Sequence, residues 1–344
     1  MPKEGYESIT IPEELNRKIT ELVNNSQGII PNKTQAISQA WKIYEKMYLE
    51  ERNPKPVMIG SKLVGHDQPV FITAEIGINH NGNMEICKKL IDIAAESGCD
   101  AVKFQKRTIE KVYPKEELEM SRESPFGKTN GDLKRALEFG YDEYKEIDEY
   151  CRKKNIIWFA SAWDEESIDF LEKFDVSCHK IASAMLTNKK LLMKVKSTNK
   201  PIILSTGMST MEQIQKAVNI LGENNLIIMH CTSTYPTPPN EHNLNVIKTF
   251  RKFFNCPVGY SGHEPGVYPV LIAIALGACM VERHITLDRS MFGSDQSASL
   301  ERKGIEIICE VARLMPLYLG DGKKRIYESE IPILKKLRKV ENLD

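Results

Sequence analysis

From residue 70 onward, apolar runs of strand length alternate with amphipathic stretches of helix length. The runs are VFITAE (70–75), AVKFQ (101–105), IIWFAS (156–161), VSCHKIAS (176–183), PIILST (201–206), LIIMHC (226–231), PVGYSG (257–262) and CMVERHI (279–285). Between them lie MEICKKLIDIAAES, YDEYKEIDEYCRKK, EESIDFLEKF, NKKLLMKVKS, MEQIQKAVNIL, HNLNVIKTFRKFF and VYPVLIAIALG. A last helix is expected from near Leu300 past Ile307 and Val311. Strand and helix alternating through short loops predict a parallel sheet. Eight such units in about 260 residues predict an α/β fold closed as a (β/α)8 TIM barrel rather than an open doubly wound sheet. No G-x-G-x-x-G follows a strand, which weighs against dinucleotide binding.

The first 56 residues follow another pattern. YESITIP (6–12) reads as a short strand, and Pro12 opens a helix with Leu15, Ile19, Leu22 and Val23 on one face. Asn32 is placed to cap a second helix with a stripe of Ala36, Ile37, Ala40, Trp41, Tyr44 and Met47. Strand, helix, helix over residues 1–52 resembles a ribbon-helix-helix module, a unit that normally dimerises. Arg52 to Pro56 reads as an extended linker. VMIG and KLVG within 57–69 predict a hairpin that opens the barrel domain, residues 57–340. The connection from Lys106 to Tyr141 is too long for a plain loop and carries Arg107, Arg122, Gly127 and Gly131. Such a segment is expected to be functional, as a lid over the site.

Composition narrows the class. Lys+Arg and Asp+Glu both number 47, so the formal net charge is zero. That balance argues against a protein that coats nucleic acid or an anionic membrane. In residues 1–52 seven Lys and Arg face eight Asp and Glu, a formal charge of −1, so the module is expected to dimerise rather than bind DNA. No run approaches the ~20 apolar residues that span a bilayer. MPKEGYESITIPEEL has no apolar core with a cleavage site and is not expected to be a signal peptide. Eight scattered cysteines without a C-x-x-C pair predict buried thiols in a cytoplasmic protein rather than disulfides or a zinc site.

The chemistry lies at the strand ends, where a barrel of this kind builds its active site. The first barrel strand ends at Glu75, and the second offers Lys103 and Gln105 on one face. Later strands end at Ser161, at Lys180 and Ser183, at Ser205 and Thr206, in His230 to Tyr235, at Ser261 and His263, and at Glu282 and His284. His263 and His284 end adjacent strands, so their rings could share a divalent metal with positions left open. Lys103 and Lys180 could cradle carboxylate and phosphate, or one could form a Schiff base. Spacing does not choose between these.

The strings AEIGINHNG (74–82), CDAVKFQ (99–105), HKIAS (179–183), LSTGMST (204–210), HCTSTYPTP (230–238), GYSGHEPG (259–266) and ERHITLDRSMFGSDQSASLE (282–301) resemble the N-acetylneuraminate (sialic acid) synthase family over residues 57–340. The resemblance implies condensation of phosphoenolpyruvate with an open-chain N-acetylhexosamine, giving a nonulosonic acid and phosphate. It implies a divalent metal on His263 and His284, manganese first, with magnesium or cobalt as alternatives. Lys103, Lys180, Ser183, Ser205, Ser233 and Ser261, with Ser161, would hold phosphoenolpyruvate. Glu75, Tyr235 and Asp295 would meet the sugar, Gln105 would support the site, and Glu282 would orient the metal or its water. KIASAM departs from the family pattern by placing Met185 where a carboxylate often stands. The sequence ends at KLRKVENLD without the family's antifreeze-like domain, so that domain's arginine and dimer contact are expected to be missing.

Two rivals accompany this reading: a Schiff-base barrel aldolase, and a sugar-sensing regulator whose N-terminal module binds DNA. Among the remaining aromatic and histidine positions, His66 and His242 are expected to do no chemistry and His179 to face the helices. His230 fits either face, and His80 is a candidate for the mouth. Trp158 and Phe159 read as strand packing, and Trp163 as a cover over the ligand.

Overall fold

The computed structural model describes residues 13–25, 32–44 and 52–338. Two helices come first, α1 (Glu13–Asn25) and α2 (Lys33–Tyr44). Asn32 caps α2 by accepting from the Gln35 N–H at 2.9 Å, as its position suggested. Lys33 Nζ donates to Asn16 Oδ1 at 2.8 Å and ties the two helices together. The strand expected at 6–12 lies outside the described residues. A hairpin follows, β1 (Val57–Ile59) and β2 (Lys62–Val64), and then the barrel.

In chain order the barrel domain runs β3 (Phe71–Gly77), α3 (Met84–Ser97), β4 (Ala101–Lys106), α4 (Ile109–Val112), α5 (Lys115–Glu119), β5 (Ser121–Ser124), β6 (Gly127–Thr129), α6 (Asn130–Ala136), α7 (Tyr141–Lys154), β7 (Ile157–Ala162), α8 (Glu165–Glu172), β8 (His179–Ile181) and α9 (Lys189–Ser197). It continues β9 (Ile202–Ser205), α10 (Met211–Leu221), β10 (Leu226–His230), α11 (Val246–Phe253), β11 (Val258–Gly262), α12 (Tyr268–Ala275), β12 (Met280–His284), α13 (Arg302–Leu319) and α14 (Ile331–Leu337). Strands β3, β4 and β7 to β12 pair in parallel, and β12 pairs with β3 to close the ring. This is the eight-stranded barrel that the alternation predicted.

The strand period of two sorts the side chains into three environments. Outward residues such as Ile72, Val102, Trp158, Leu204, Ile228 and Val281 join the helices in one large apolar core. Inward residues near the strand starts, among them Phe71, Ala101, Phe159, Ile203, Ile227 and Met280, form a second core inside the barrel. Val57, Ile59 and Val64 of the hairpin belong to that inner core, so the hairpin stoppers the barrel floor. Inward residues near the strand ends are polar and face the opposite mouth. Trp158 and Phe159 are strand packing, as expected: Trp158 sits in the outer cluster and Phe159 in the inner one.

Helix starts are set by caps. Asn83, Asp164, Asn188 and Thr210 each accept from the backbone N–H three residues on. One helix differs from the sequence expectation. The stretch 242–254 is helical only over Val246–Phe253, because Asn243 takes a left-handed backbone at φ 42° that a right-handed helix cannot include. The strand expected at 176–183 narrows to His179–Ile181. The long connection after β4 is filled by α4, α5, the β5–β6 hairpin and α6. All eight cysteines are buried thiols. No helix of the described residues is long and apolar enough to cross a membrane.

Asp164 joins this connection to the barrel. Its carboxylate accepts from the Thr108 N–H at 2.7 Å, the Thr108 hydroxyl at 2.9 Å, the Ser167 N–H at 2.9 Å and the Ser167 hydroxyl at 2.7 Å. Burial opposes its ionisation, but these donors outweigh burial and hold the carboxyl below its usual range. A carboxyl lowered on folding adds stability above its unfolded value of about 3.9, and that contribution is lost as pH falls through the folded value. Asp164→Ala is expected to cost about 1–2 kcal/mol in urea unfolding at neutral pH. The deficit should shrink below about pH 4. A deficit that keeps its size well below that pH would exclude the carboxylate charge as its source.

Candidate active site

Thirteen of the residues singled out from the sequence line one cavity of 200 Å³ at the carboxyl ends of the strands. They are Glu75, Lys103, Gln105, Ser161, Lys180, Ser183, Ser205, Ser233, Tyr235, Ser261, His263, Glu282 and His284. Asp295 lines a second cavity of 590 Å³ that shares Gln105, Trp163 and Tyr235 with the first. The sequence reading and the structure therefore agree on which residues meet.

Buried charges organise the inner cavity. Lys103 Nζ lies 2.7 Å from Glu75 Oε2 and 3.6 Å from Glu282 Oε1. Lys180 Nζ lies 2.6 Å from Glu282 Oε2. Lys103 also donates to Ser161 Oγ at 3.0 Å, and Ser261 Oγ donates to Glu282 Oε1 at 3.2 Å. Glu282 thus bridges two lysines, a contact that the family resemblance did not imply. Burial alone would raise its carboxyl, but Lys103 and Lys180 reverse this and bring it down to about 2. Burial likewise works to lower Lys103, yet Glu282 and Glu75 carry it above its ordinary value. Lys180 is lowered, by burial first and also by the neighbouring Lys103, against the opposing pull of Glu282.

Two glycines make close approaches that the site needs. Gly77, at φ 54°, ends β3 where its register with β4 shifts. A Cβ there would stand 3.0 Å from Glu75 Oε1 and 3.2 Å from Gln105 Nε2, across the 3.0 Å hydrogen bond by which Gln105 holds Glu75. At Gly207 a Cβ would stand 2.1 Å from Ser233 Oγ. The bare backbone instead brings the Gly207 N–H to Ser183 Oγ at 3.0 Å.

The two imidazoles are 5.7 Å apart by ring centroids. His263 Nδ1 lies 2.7 Å from the Thr232 carbonyl, which only an N–H can donate to, so Nε2 carries the lone pair. That lone pair accepts the Tyr235 hydroxyl at 2.8 Å. Burial, and then the adjacent His284, bring His263 down to about 3 and keep it neutral, as a metal ligand must be. His284 Nδ1 is buried without a hydrogen bond, and Asp295 Oδ2 stands 3.6 Å from it. A fixed tautomer and an orphaned ring nitrogen suit a metal held by two imidazoles. No group of three or more His, Cys, Asp or Glu among the described residues forms a fuller ligand set.

Several features had no sequence signal. Arg283 points away from the cavity and is buried. It donates to Glu264 Oε1 at 2.8 Å and to the backbone carbonyl of Glu264, and so braces the turn that carries His263. Lys134 lines the larger cavity from α6. The Arg107 guanidinium lies 4.4 Å over the Trp163 ring, and both line the larger cavity. Ala184 rather than Met185 lines the inner cavity, and Met185 packs on the apolar core. His80 stacks on Phe139 at 4.0 Å and lines neither cavity. His179 faces α8, with Nε2 2.8 Å from Glu172. His230 turns outward, its Nε2 bonded to the His242 carbonyl at 2.8 Å.

A barrel mouth with paired lysines and carboxylates beside two imidazoles is the site of an anion-handling enzyme. Residues 90–324 match the model of the NeuB family, and the chain belongs to that family. It is a synthase of the sialic-acid and nonulosonic-acid type. The N-acetylneuraminate-9-phosphate synthase of Homo sapiens is 39% identical over 282 residues, covering 80% of this chain and 78% of that one. The N,N'-diacetyllegionaminic acid synthase of Campylobacter jejuni is 38% identical over 269 residues, covering 76% and 80%. The crystal structure of N-acetylneuraminic acid (sialic acid) synthetase from Leptospira borgpetersenii in complex with citrate superposes with a TM-score of 0.73 at 30% identity, covering 85% of this chain and 100% of that one.

Glu282→Gln removes the carboxylate that holds Lys180 up. The Lys180 amine should then be acetylated by acetic anhydride at neutral pH about tenfold faster or more, read by peptide mass spectrometry. An unchanged rate in a folded variant, checked by circular dichroism, would contradict the bridging role.

Proposed function

We propose that the chain condenses phosphoenolpyruvate with an open-chain N-acetylated amino sugar, N-acetylmannosamine or a related acetamido hexose, to give a nonulosonic acid and phosphate. The observation that carries this reading is the convergence of Lys103 and Lys180 on Glu282 in a serine-lined cavity beside His263 and His284. Phosphoenolpyruvate is a small polyanion with a carboxylate and a phosphate. Two lysines at fixed positions suit its two charged ends, and Ser161, Ser183, Ser205, Ser233 and Ser261 offer hydroxyls to their oxygens. Lys103, raised by its carboxylates, stays a cation through the reaction.

The sugar occupies the larger cavity with its aldehyde at the shared edge. Glu75, held by Gln105, and Tyr235 bound that edge, and Asp295 faces it from the opposite loop. C3 of phosphoenolpyruvate attacks the aldehyde carbon, water adds at C2, and C–O cleavage expels phosphate. His263 and His284 would hold a divalent cation, manganese first, which supplies Lewis-acid polarisation of the aldehyde oxygen when bound. Glu282, kept ionised at about 2, acts as a fixed counter-charge rather than a proton carrier. The barrel binds its reactants at the mouth opposite the hairpin-stoppered floor. Residues 1–52 are read as a dimerisation module, supported by the exposed Leu15 and Ile37 of α1 and α2, and light scattering of the chain with and without them tests this.

A phosphate-release assay with phosphoenolpyruvate, manganese and a panel of acetamido hexoses tests the reaction. Release should require all three components. His284→Ala should lose at least about 100-fold in turnover with unchanged circular dichroism. Near-normal turnover would remove the imidazoles from the chemistry. The lowered Lys180 is the one observation that favours a Schiff-base aldolase. Borohydride with pyruvate should leave Lys180 unmodified, and a reduced adduct there would replace the synthase reading.

A further inference from the structure

Two buried thiols far from the barrel mouth touch each other. Cys99 lies in the turn between α3 and β4, and Cys309 lies within α13. Their Sγ atoms are 3.8 Å apart, although 210 residues separate them along the chain. The pair spans the seam of the barrel. Cys99 ends the first βα unit and Cys309 belongs to the last, on either side of the place where β12 pairs with β3. Arg313, one turn on from Cys309, donates to the carbonyl oxygens of Val70 at 2.8 Å and Gly98 at 3.3 Å. It also reaches the Asp100 carboxylate at 3.3 Å. Helix α13 is therefore already fastened to the starts of β3 and β4 at this point.

The two thiols are chemically unequal. Cys309 is lowered, first by its hydrogen-bond contact with Cys99 and then by the Arg313 guanidinium, against burial. Cys99 is raised by the same contact and by burial. A lowered thiol supplies the nucleophilic thiolate, and a thiol beside it can resolve the oxidised product. Burial instead pushes Cys87 and Cys279 up to about 12, where a thiolate is scarce. A way in also exists. A Cβ built on the exposed Gly98 would have Cys309 Cβ at 3.9 Å and, its chain neighbours apart, no other atom within 4 Å. The space beside that glycine is open, and Cys309 borders it.

We infer that Cys99 and Cys309 form a redox site, which a small hydroperoxide converts into a disulfide that staples the last unit of the barrel to the first. With hydrogen peroxide the Cys309 thiolate attacks one oxygen, the O–O bond breaks, and hydroxide leaves. Cys309 is then a sulfenic acid. The Cys99 sulfur attacks the sulfenic sulfur, the S–S bond forms as the S–O bond breaks, and the departing oxygen takes the Cys99 proton and leaves as water. The two thiols together lose two electrons, which reduce the peroxide. The sulfurs must close by about 1.8 Å to reach bonding distance. Cys99 stands in a turn rather than in a helix or strand, where such a shift breaks no regular ladder. A bond across 210 residues removes much of the freedom of the unfolded chain.

The test exposes the full, reduced chain to hydrogen peroxide under native conditions at about pH 8. Remaining thiols are alkylated in denaturant, and peptides are mapped by mass spectrometry without reduction. A joined Cys99–Cys309 peptide pair should accumulate before the exposed Met208 becomes its sulfoxide, and dithiothreitol should reverse it. In a Cys99→Ser chain of unchanged circular dichroism, dimedone should label Cys309 as the stranded sulfenic acid. The oxidised chain should melt at least about 4 °C above the reduced one. Met208 oxidised while both thiols still take the alkylating agent overturns the inference, as does pairing of either with another cysteine. A bond that forms without raising the melting midpoint overturns the stapling.

Discussion

Two lysines cannot sit side by side at a buried barrel mouth without a counter-charge between them. Glu282 is that counter-charge, with Glu75 completing an alternating set of two cations and two anions. Every member is nearly inaccessible to water, so each depends on the others for its charge. The set is neutral as a whole, which lets the barrel fold without an uncompensated ion in its interior. In the proposed reaction an incoming polyanion would not meet a bare positive pocket. It would displace part of an internal ion pairing, the lysines exchanging one anionic partner for another.

The rest of the mouth is arranged around that set. Gly77 brings β3 close enough for Gln105 to hold Glu75, and the Arg283–Glu264 pair on the outer side of the barrel braces the turn bearing His263. Thr232 fixes which nitrogen of that ring is free. Each of these contacts orients a group that itself faces the cavity. The inner cavity is thereby lined by groups held in internal contacts, while the larger one is bordered by short elements that meet the far loop through two aromatic rings.

Much of this was legible in the residues. A strand period of two puts Lys103 with Gln105 and Glu282 with His284 on the inward face, and all four line the cavity. The same period sends His179 outward to Glu172. What escaped was whatever depends on closure of the ring or lacks periodicity. Arg283 looks like any outward strand residue until β11 and β12 lie side by side and Glu264 comes within reach. Lys134 sits on a seven-residue helix in an irregular segment, where no period says which way it points. The contacts of Glu282 came from lysines on two strands that do not neighbour its own, β4 and β8, which only closure of the ring brings together. The late start of α11 reflects one asparagine in a left-handed conformation, which an apolar pattern does not reveal.

The hairpin of Val57 to Val64 has a kinetic meaning beyond packing. By filling the floor with Val57, Ile59 and Val64 it makes the barrel a blind vessel with one opening. The small cavity lies deep and the large one lies over it, along a shared edge. In the proposed reaction the occupant of the depth would therefore be expected to enter before the reactant that caps it. The order of arrival would thus be set by an apolar plug of three buried side chains far from any reacting atom.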